Sequence, residues 1–136
     1  MASTTFREIE IAEGIDSSLG DSPLEIWYAR VRNVPLSALG VEDVCKSLRQ
    51  DIYPEYVVPI AVELLAKDPQ AGEMYDGELA RAFRGIPEPF WRKHPQLAAK
   101  VVDVMKNAIS QLDDDAKSDV TMTAAAIEAA INTGTK

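Results

Sequence analysis

The most constraining feature of this chain is a ten-residue segment that is apolar around nearly the whole circumference of a helix. Its apolar residues recur at helical spacing and also fill the positions between: Tyr56, Val57, Val58, Ile60, Ala61, Val62, Leu64 and Leu65. A helix with so little polar surface belongs in the middle of a bundle. Pro54 precedes this helix, and Pro59 must either fall within its first turn or kink it. We therefore predict a central helix around which the other elements pack.

The rest of the chain predicts further amphipathic helices and no convincing strand. Ser22 followed by Pro23 is a favourable helix start, with serine as the cap and proline at the first helical position. Gly40 is expected to cap the next helix, Asp76 the helix that carries Leu79, and Pro95 opens a later one. Short connections marked by proline or glycine join these segments. The expected fold is all-α, an irregular single-domain bundle of about six helices.

The expected organisation is a helical core flanked by two terminal segments. We expect residues 1–21 to be a flexible acidic arm, because the weak alternation over Thr5–Ile11 favours a loose arm over a strand. We expect residues 22–112 to form the core and residues 113–136 to add a C-terminal helix and a frayed tail to the same domain. The sequence has no apolar run of signal-peptide or membrane-spanning length, so a cytoplasmic protein is expected.

The charge of the chain restricts its partners. The net charge is −8, which argues against direct binding of nucleic acid through phosphate attraction. Residues 51–78 contain seven acids and one base, a net −6, whereas residues 81–106 contain six bases and two acids, a net +4. Such asymmetry is typical of solvated helix faces, and it also suits a protein that docks onto a basic partner through its acidic end.

Residues that could carry catalysis or bind a metal are few. His94 is the single histidine and Cys45 the single cysteine, so an internal disulfide and a histidine-rich metal site are excluded. Cys45 lies on an apolar helix face, which favours a core thiol over a Cys45–His94 dyad. Carboxylates that could flank a substrate, as in a glycosidase, are more numerous: Glu55, Glu63, Glu73 and Asp76. Because abundant acids form such pairs by chance, we predict no catalytic residue, cofactor or metal.

Three motifs in residues 41–97 resemble the immunity proteins of bacterial contact-dependent growth inhibition (CDI) systems. The first is an acidic helix start with a closing glutamine: Val41-Glu42-Asp43 with Gln50. The second is an apolar tyrosine–proline helix, with Tyr56, Pro59 and Glu63. The third is a Gly-x-x-Tyr-x-Gly-[Asp/Glu]-Leu segment ahead of a Phe-Trp pair: Gly72, Tyr75, Gly77, Glu78 and Leu79, then Phe90-Trp91. The resemblance implies a cytoplasmic, non-enzymatic inhibitor. Such a protein binds the toxic C-terminal domain, usually a nuclease, of a matching delivered toxin.

The expected function is therefore neutralisation of a basic nuclease domain by a monomer in a one-to-one complex. A helical adaptor or regulatory module with another protein partner is the alternative, which composition does not distinguish. Interfaces favour tyrosine anchors, and acids speed the encounter with a basic partner. The toxin-binding surface is therefore expected among the acids and tyrosines of the central stretch: Asp51, Tyr53, Glu55, Glu73, Tyr75, Asp76 and Glu78. Of the two tyrosines, Tyr53 is expected to be the exposed one.

Overall fold

The computed structural model describes residues 4–14, 20–68, 70–71 and 77–133. In these ranges the chain forms eight α-helices: α1 Phe6–Ala12, α2 Pro23–Val31, α3 Val41–Arg49, α4 Pro54–Lys67, α5 Glu78–Ala82, α6 Glu88–Lys93, α7 Pro95–Ala108 and α8 Asp114–Thr133. Three short 3₁₀ turns lie at Leu36–Ala38, Phe83–Gly85 and Ile109–Gln111. The all-α class is confirmed, with two helices more than the approximate six expected and no strand in the described ranges.

Local capping chemistry sets where several helices begin. Ser22 caps α2 as predicted: its hydroxyl accepts from the backbone N–H of Glu25 at 3.2 Å, and the Glu25 carboxylate accepts from the Ser22 backbone N–H. Gly40 precedes α3 in an extended conformation and has no side chain to contribute. Gly77 precedes α5 with φ 88°, a left-handed geometry that glycine adopts without steric penalty. The predicted cap Asp76 lies outside the described residues.

Helix α4 packs against α3 and α7, as its apolar composition predicts. One face is buried, formed by Val57, Val58, Ala61, Val62 and Leu65. The other face is more open than the sequence indicates, because Tyr56 is 42% exposed. Pro59 lies in the second turn of the helix, on the exposed side, rather than in its first turn. The central helix is therefore amphipathic rather than enclosed on all sides.

The loose arm expected at the N-terminus is wrong for residues 6–12, which form helix α1. The Thr5 hydroxyl accepts from the Glu8 backbone N–H at 3.1 Å, and the Glu8 carboxylate accepts from the Thr5 backbone N–H at 2.9 Å. This reciprocal pair satisfies two N–H groups at the helix start. Phe6 and Ile9, three residues apart, are both buried in the core. A helical pair and a capping box therefore outweigh the weak strand-like alternation.

Helix α8 packs most extensively against α7 and also contacts α5 and α6. Its buried face belongs to the same hydrophobic core as the other helices and consists of small or branched residues: Ala116, Val120, Ala124, Ile127 and Ala130. An ion pair between Lys106 of α7 and Glu128 of α8, at 2.9 Å, spans the outer edge of the contact. Within the described ranges, no helix combines the length and apolarity needed to cross a lipid bilayer.

Candidate functional site

Three of the predicted binding residues lie together where α3 meets α4. Asp51 and Glu55 are exposed and Tyr53 is half-buried; we call these three residues the junction surface. Partial burial raises the pKa of Asp51, and the nearby Glu55 carboxylate raises it further. The pKa of Tyr53 is also raised, first by burial and then by Glu10, Glu13 and Glu55. The junction surface is therefore a locally negative region around a tyrosine ring.

The backbone of the junction adopts an unusual conformation. Asp51 has φ 54° and Tyr53 has φ 40° and ψ 58°, both in the left-handed region, which costs a non-glycine residue about 1–2 kcal/mol. Tyr53 also precedes Pro54, and a following proline favours extended rather than helical geometry. Backbone bonds hold the segment in place: the Tyr53 carbonyl accepts from the N–H groups of Tyr56 at 2.9 Å and Val57 at 3.1 Å.

The Tyr53 ring is less exposed than expected because it packs on α1. It stacks against Phe6 with 6.1 Å between ring centroids, and Phe6 stacks in turn against Tyr28 of α2 at 5.7 Å. Phe6 itself is fully buried. Three aromatic rings from three parts of the chain therefore form one continuous stack that ends at the junction surface.

A buried carboxylate lies behind this stack. Glu10 of α1 is 1% exposed and accepts hydrogen bonds from Tyr28 Oη at 2.5 Å, Arg32 Nη2 at 2.5 Å and Arg7 Nη1 at 3.1 Å. A buried charge is tolerated when opposite charges and hydrogen-bond donors surround it. Burial raises the pKa of Tyr28, and its hydrogen bond to Glu10 raises it further. Sequence reasoning missed Glu10 because it placed the residue on a solvated arm.

The prediction that Glu78 belongs to the binding surface is wrong. Its side chain is 1% exposed and pairs with Arg49 Nη1 at 3.0 Å. Arg49 ends α3, which packs against α5, so the arginine reaches a carboxylate 29 residues away. Glu78 therefore joins two helices instead of facing a partner. The remaining predicted binding residues lie outside the described part of the chain: Glu73, Tyr75 and Asp76.

A second surface feature is an apolar groove of about 400 Å³ between α6 and α8. Its lining residues include Phe83, Ile86, Pro87, Trp91, Met122 and Ile127. Met122 is 62% exposed, and at the rim Arg84 Nε donates to Thr123 Oγ1 at 2.9 Å. The groove can receive an apolar side chain. The sequence alone did not predict this groove, because its two walls lie about 35 residues apart in the chain.

The structure places several of the side chains considered for catalysis or metal binding. No group of three or more histidine, cysteine or acidic side chains in these ranges is placed to hold a metal ion. Cys45 is fully buried in the hydrophobic core, as predicted for a core thiol. Glu55 and Glu63 lie eight residues apart on α4, so their backbones are about 12 Å apart along the helix. Glycosidases hold their two carboxyl groups at about 5–9.5 Å.

Comparison with known families identifies the chain. Residues 8–101 match the family of CDI immunity proteins, while a search of curated proteins finds no match. The matched span covers more than half of the chain and runs from α1 into α7, so it contains both the junction surface and Glu10; helix α8 lies beyond it. The chain therefore belongs to the family of CDI immunity proteins.

Proposed function

We propose that this protein binds and neutralises the toxic C-terminal domain of its cognate CDI effector, a basic nuclease, in a one-to-one complex in the cytoplasm. The observation that carries the proposal is the family match over residues 8–101. Inhibition proceeds by occlusion: the protein covers a surface of the toxin and catalyses no reaction. The net charge of −8 supports a basic partner, because a nuclease carries positive charge where it contacts phosphates.

The toxin-binding surface we propose is the junction surface, extended by Glu73, Tyr75 and Asp76. Asp51 and Glu55 are exposed acids that attract a basic partner and disfavour an acidic one. Tyr53 supplies an aromatic ring whose position is already fixed by stacking, so little side-chain freedom is lost when a partner contacts it. A rigid tyrosine between acids combines a binding anchor with electrostatic attraction.

The first test is co-expression of the full chain with the toxin domain encoded beside it. The proposal predicts that cells survive only when the chain is present, and that the two proteins co-purify in equal amounts. An adaptor without a toxin partner, which is the alternative, predicts neither protection nor a neighbouring toxin gene. Survival without complex formation would refute occlusion.

The second test locates the binding surface by charge reversal. The double variant Asp51→Lys/Glu55→Lys should slow association with the toxin by about tenfold or more at low ionic strength, and the difference should shrink as salt is added. Asp103→Lys/Asp115→Lys is the matched control, because it changes the net charge equally at exposed positions on α7 and α8. Equal slowing by both variants would assign the effect to net charge and exclude the junction surface as the docking region.

A further inference from the structure

Helix α1 supports the junction surface from behind through one ring. Phe6 is 0% exposed and lies between Tyr28 and Tyr53, at 5.7 and 6.1 Å between centroids and with interplanar angles near 30°. Phe6 therefore joins Tyr28 of α2 to the side chain of Tyr53 by ring stacking. The exposed part of Tyr53 belongs to the junction surface, whereas its support is internal.

Tyr53 needs such support because its backbone conformation is unfavourable twice over. A non-glycine residue at φ 40° is in the left-handed region, and Pro54 disfavours ψ 58° in the residue before it. The amide groups of α4 hold the Tyr53 carbonyl, but these bonds do not fix the ring. Left to itself, Tyr53 would shift towards the extended conformation, and Asp51 and the ring would move relative to α4. Packing against Phe6 opposes that shift.

Polar contacts in turn attach α1 and the residue Thr4 before it to the end of α2 and to the 3₁₀ turn at Leu36–Ala38. The Arg7 backbone N–H donates to the Arg32 carbonyl at 2.9 Å, and the Leu36 N–H donates to the Thr4 carbonyl at 2.8 Å. Between them, the buried Glu10 carboxylate accepts from Tyr28 and Arg32. Glu10 thus holds the helix that carries Phe6 and also orients Tyr28, the other ring of the stack.

We propose that Phe6 and Glu10 are positioning residues for toxin binding: they keep Tyr53 in its left-handed conformation and so present the junction surface in one arrangement. This inference rests on the proposed function. Neither residue contacts the toxin, because both are buried. If the supported conformation falls to about one tenth of the population, the apparent affinity falls about tenfold.

A double-mutant cycle tests this coupling. Phe6→Leu keeps an apolar side chain at the site but removes the ring, and it should weaken toxin binding by about tenfold. In the Tyr53→Ala background the same substitution should change the affinity little, because its effect passes through Tyr53. Equal losses in both backgrounds would show that α1 acts independently of Tyr53 and would overturn the inference. Unchanged affinity for Phe6→Leu would overturn it as well.

Two further measurements separate positioning from general destabilisation. Glu10→Gln should weaken binding in the same direction, and it serves if Phe6→Leu fails to fold. Val120→Ala removes core volume from α8, remote from α1 in sequence, and should leave the affinity of the folded protein unchanged. Tyr53 ring-proton shifts in the free protein should change in Phe6→Leu and not in Val120→Ala. Failure of the wild-type protein to bind toxin refutes the proposed function, whereas binding with additive losses refutes only the positioning role.

Discussion

Replacement of Gly85 by alanine should destabilise the protein strongly. Gly85 ends the 3₁₀ turn after α5, and a Cβ built on it would lie 2.5 Å from the Leu48 carbonyl oxygen and 2.6 Å from Arg49 Cα. Ordinary van der Waals contact begins at 3.4 Å, so the turn and α3 would have to separate by about 0.9 Å. Both contacts are to backbone atoms, which cannot rotate away.

The separation would loosen a packed region next to the junction surface. Phe83 of the same turn is buried, and Arg49 carries the ion pair to Glu78. Overpacking of this kind costs about 1–3 kcal/mol, and backbone contacts favour the upper part of that range. For a domain of this size, 2–3 kcal/mol corresponds to a fall in Tm of roughly 5–15 °C.

Urea and thermal unfolding followed by circular dichroism measure this change. Gly40→Ala is the matched control, because a Cβ at Gly40 meets nothing within 4 Å and the residue has an ordinary extended conformation. The control should lose less than about 1 kcal/mol through its weaker cap. If the free energies of unfolding of Gly85→Ala and Gly40→Ala differ by less than about 0.5 kcal/mol, the close approach of the turn to α3 does not constrain the fold.

Two other substitutions probe a buried ion pair and an exposed acid of the junction surface. Arg49→Met keeps much of the aliphatic stem but removes the ion pair of buried Glu78. The free energy of unfolding should therefore fall by about 1–3 kcal/mol. Wild-type stability would indicate that other contacts are sufficient to stabilise the buried Glu78 carboxylate. Burial and Glu55 raise the pKa of Asp51 in the folded protein. The free energy of unfolding therefore falls as the pH rises through that pKa and the side chain ionises. Asp51→Asn cannot ionise, so it should stabilise the protein at neutral pH. Urea unfolding at pH 7 and pH 3 should show a larger gain at pH 7, and a larger gain at pH 3 would contradict this sign.

Short-range chemistry in the sequence was sufficient for most of the helical framework. The Ser22-Pro23 start, the Gly40 cap and the proline that opens α7 each act through groups within a few residues, so they predict helix boundaries without knowledge of the fold. The all-α class follows from the same periodicity. The motifs that resemble CDI immunity proteins all lie within the matched span 8–101, so the family could also be identified from the sequence.

Tertiary structure alone decided which acids are exposed. Glu10 and Glu78 look like other surface acids in the sequence, yet both are buried, because Arg32 and Arg49 reach them across 22 and 29 residues of chain. The support of Tyr53 by Phe6 joins rings 47 positions apart in the same way. A charged side chain is buried where other helices bring it partners. A sequence pattern does not show which residues far apart in the chain will meet. Helix positions were therefore local properties of this chain, while the composition of its candidate binding surface was a property of the packed bundle.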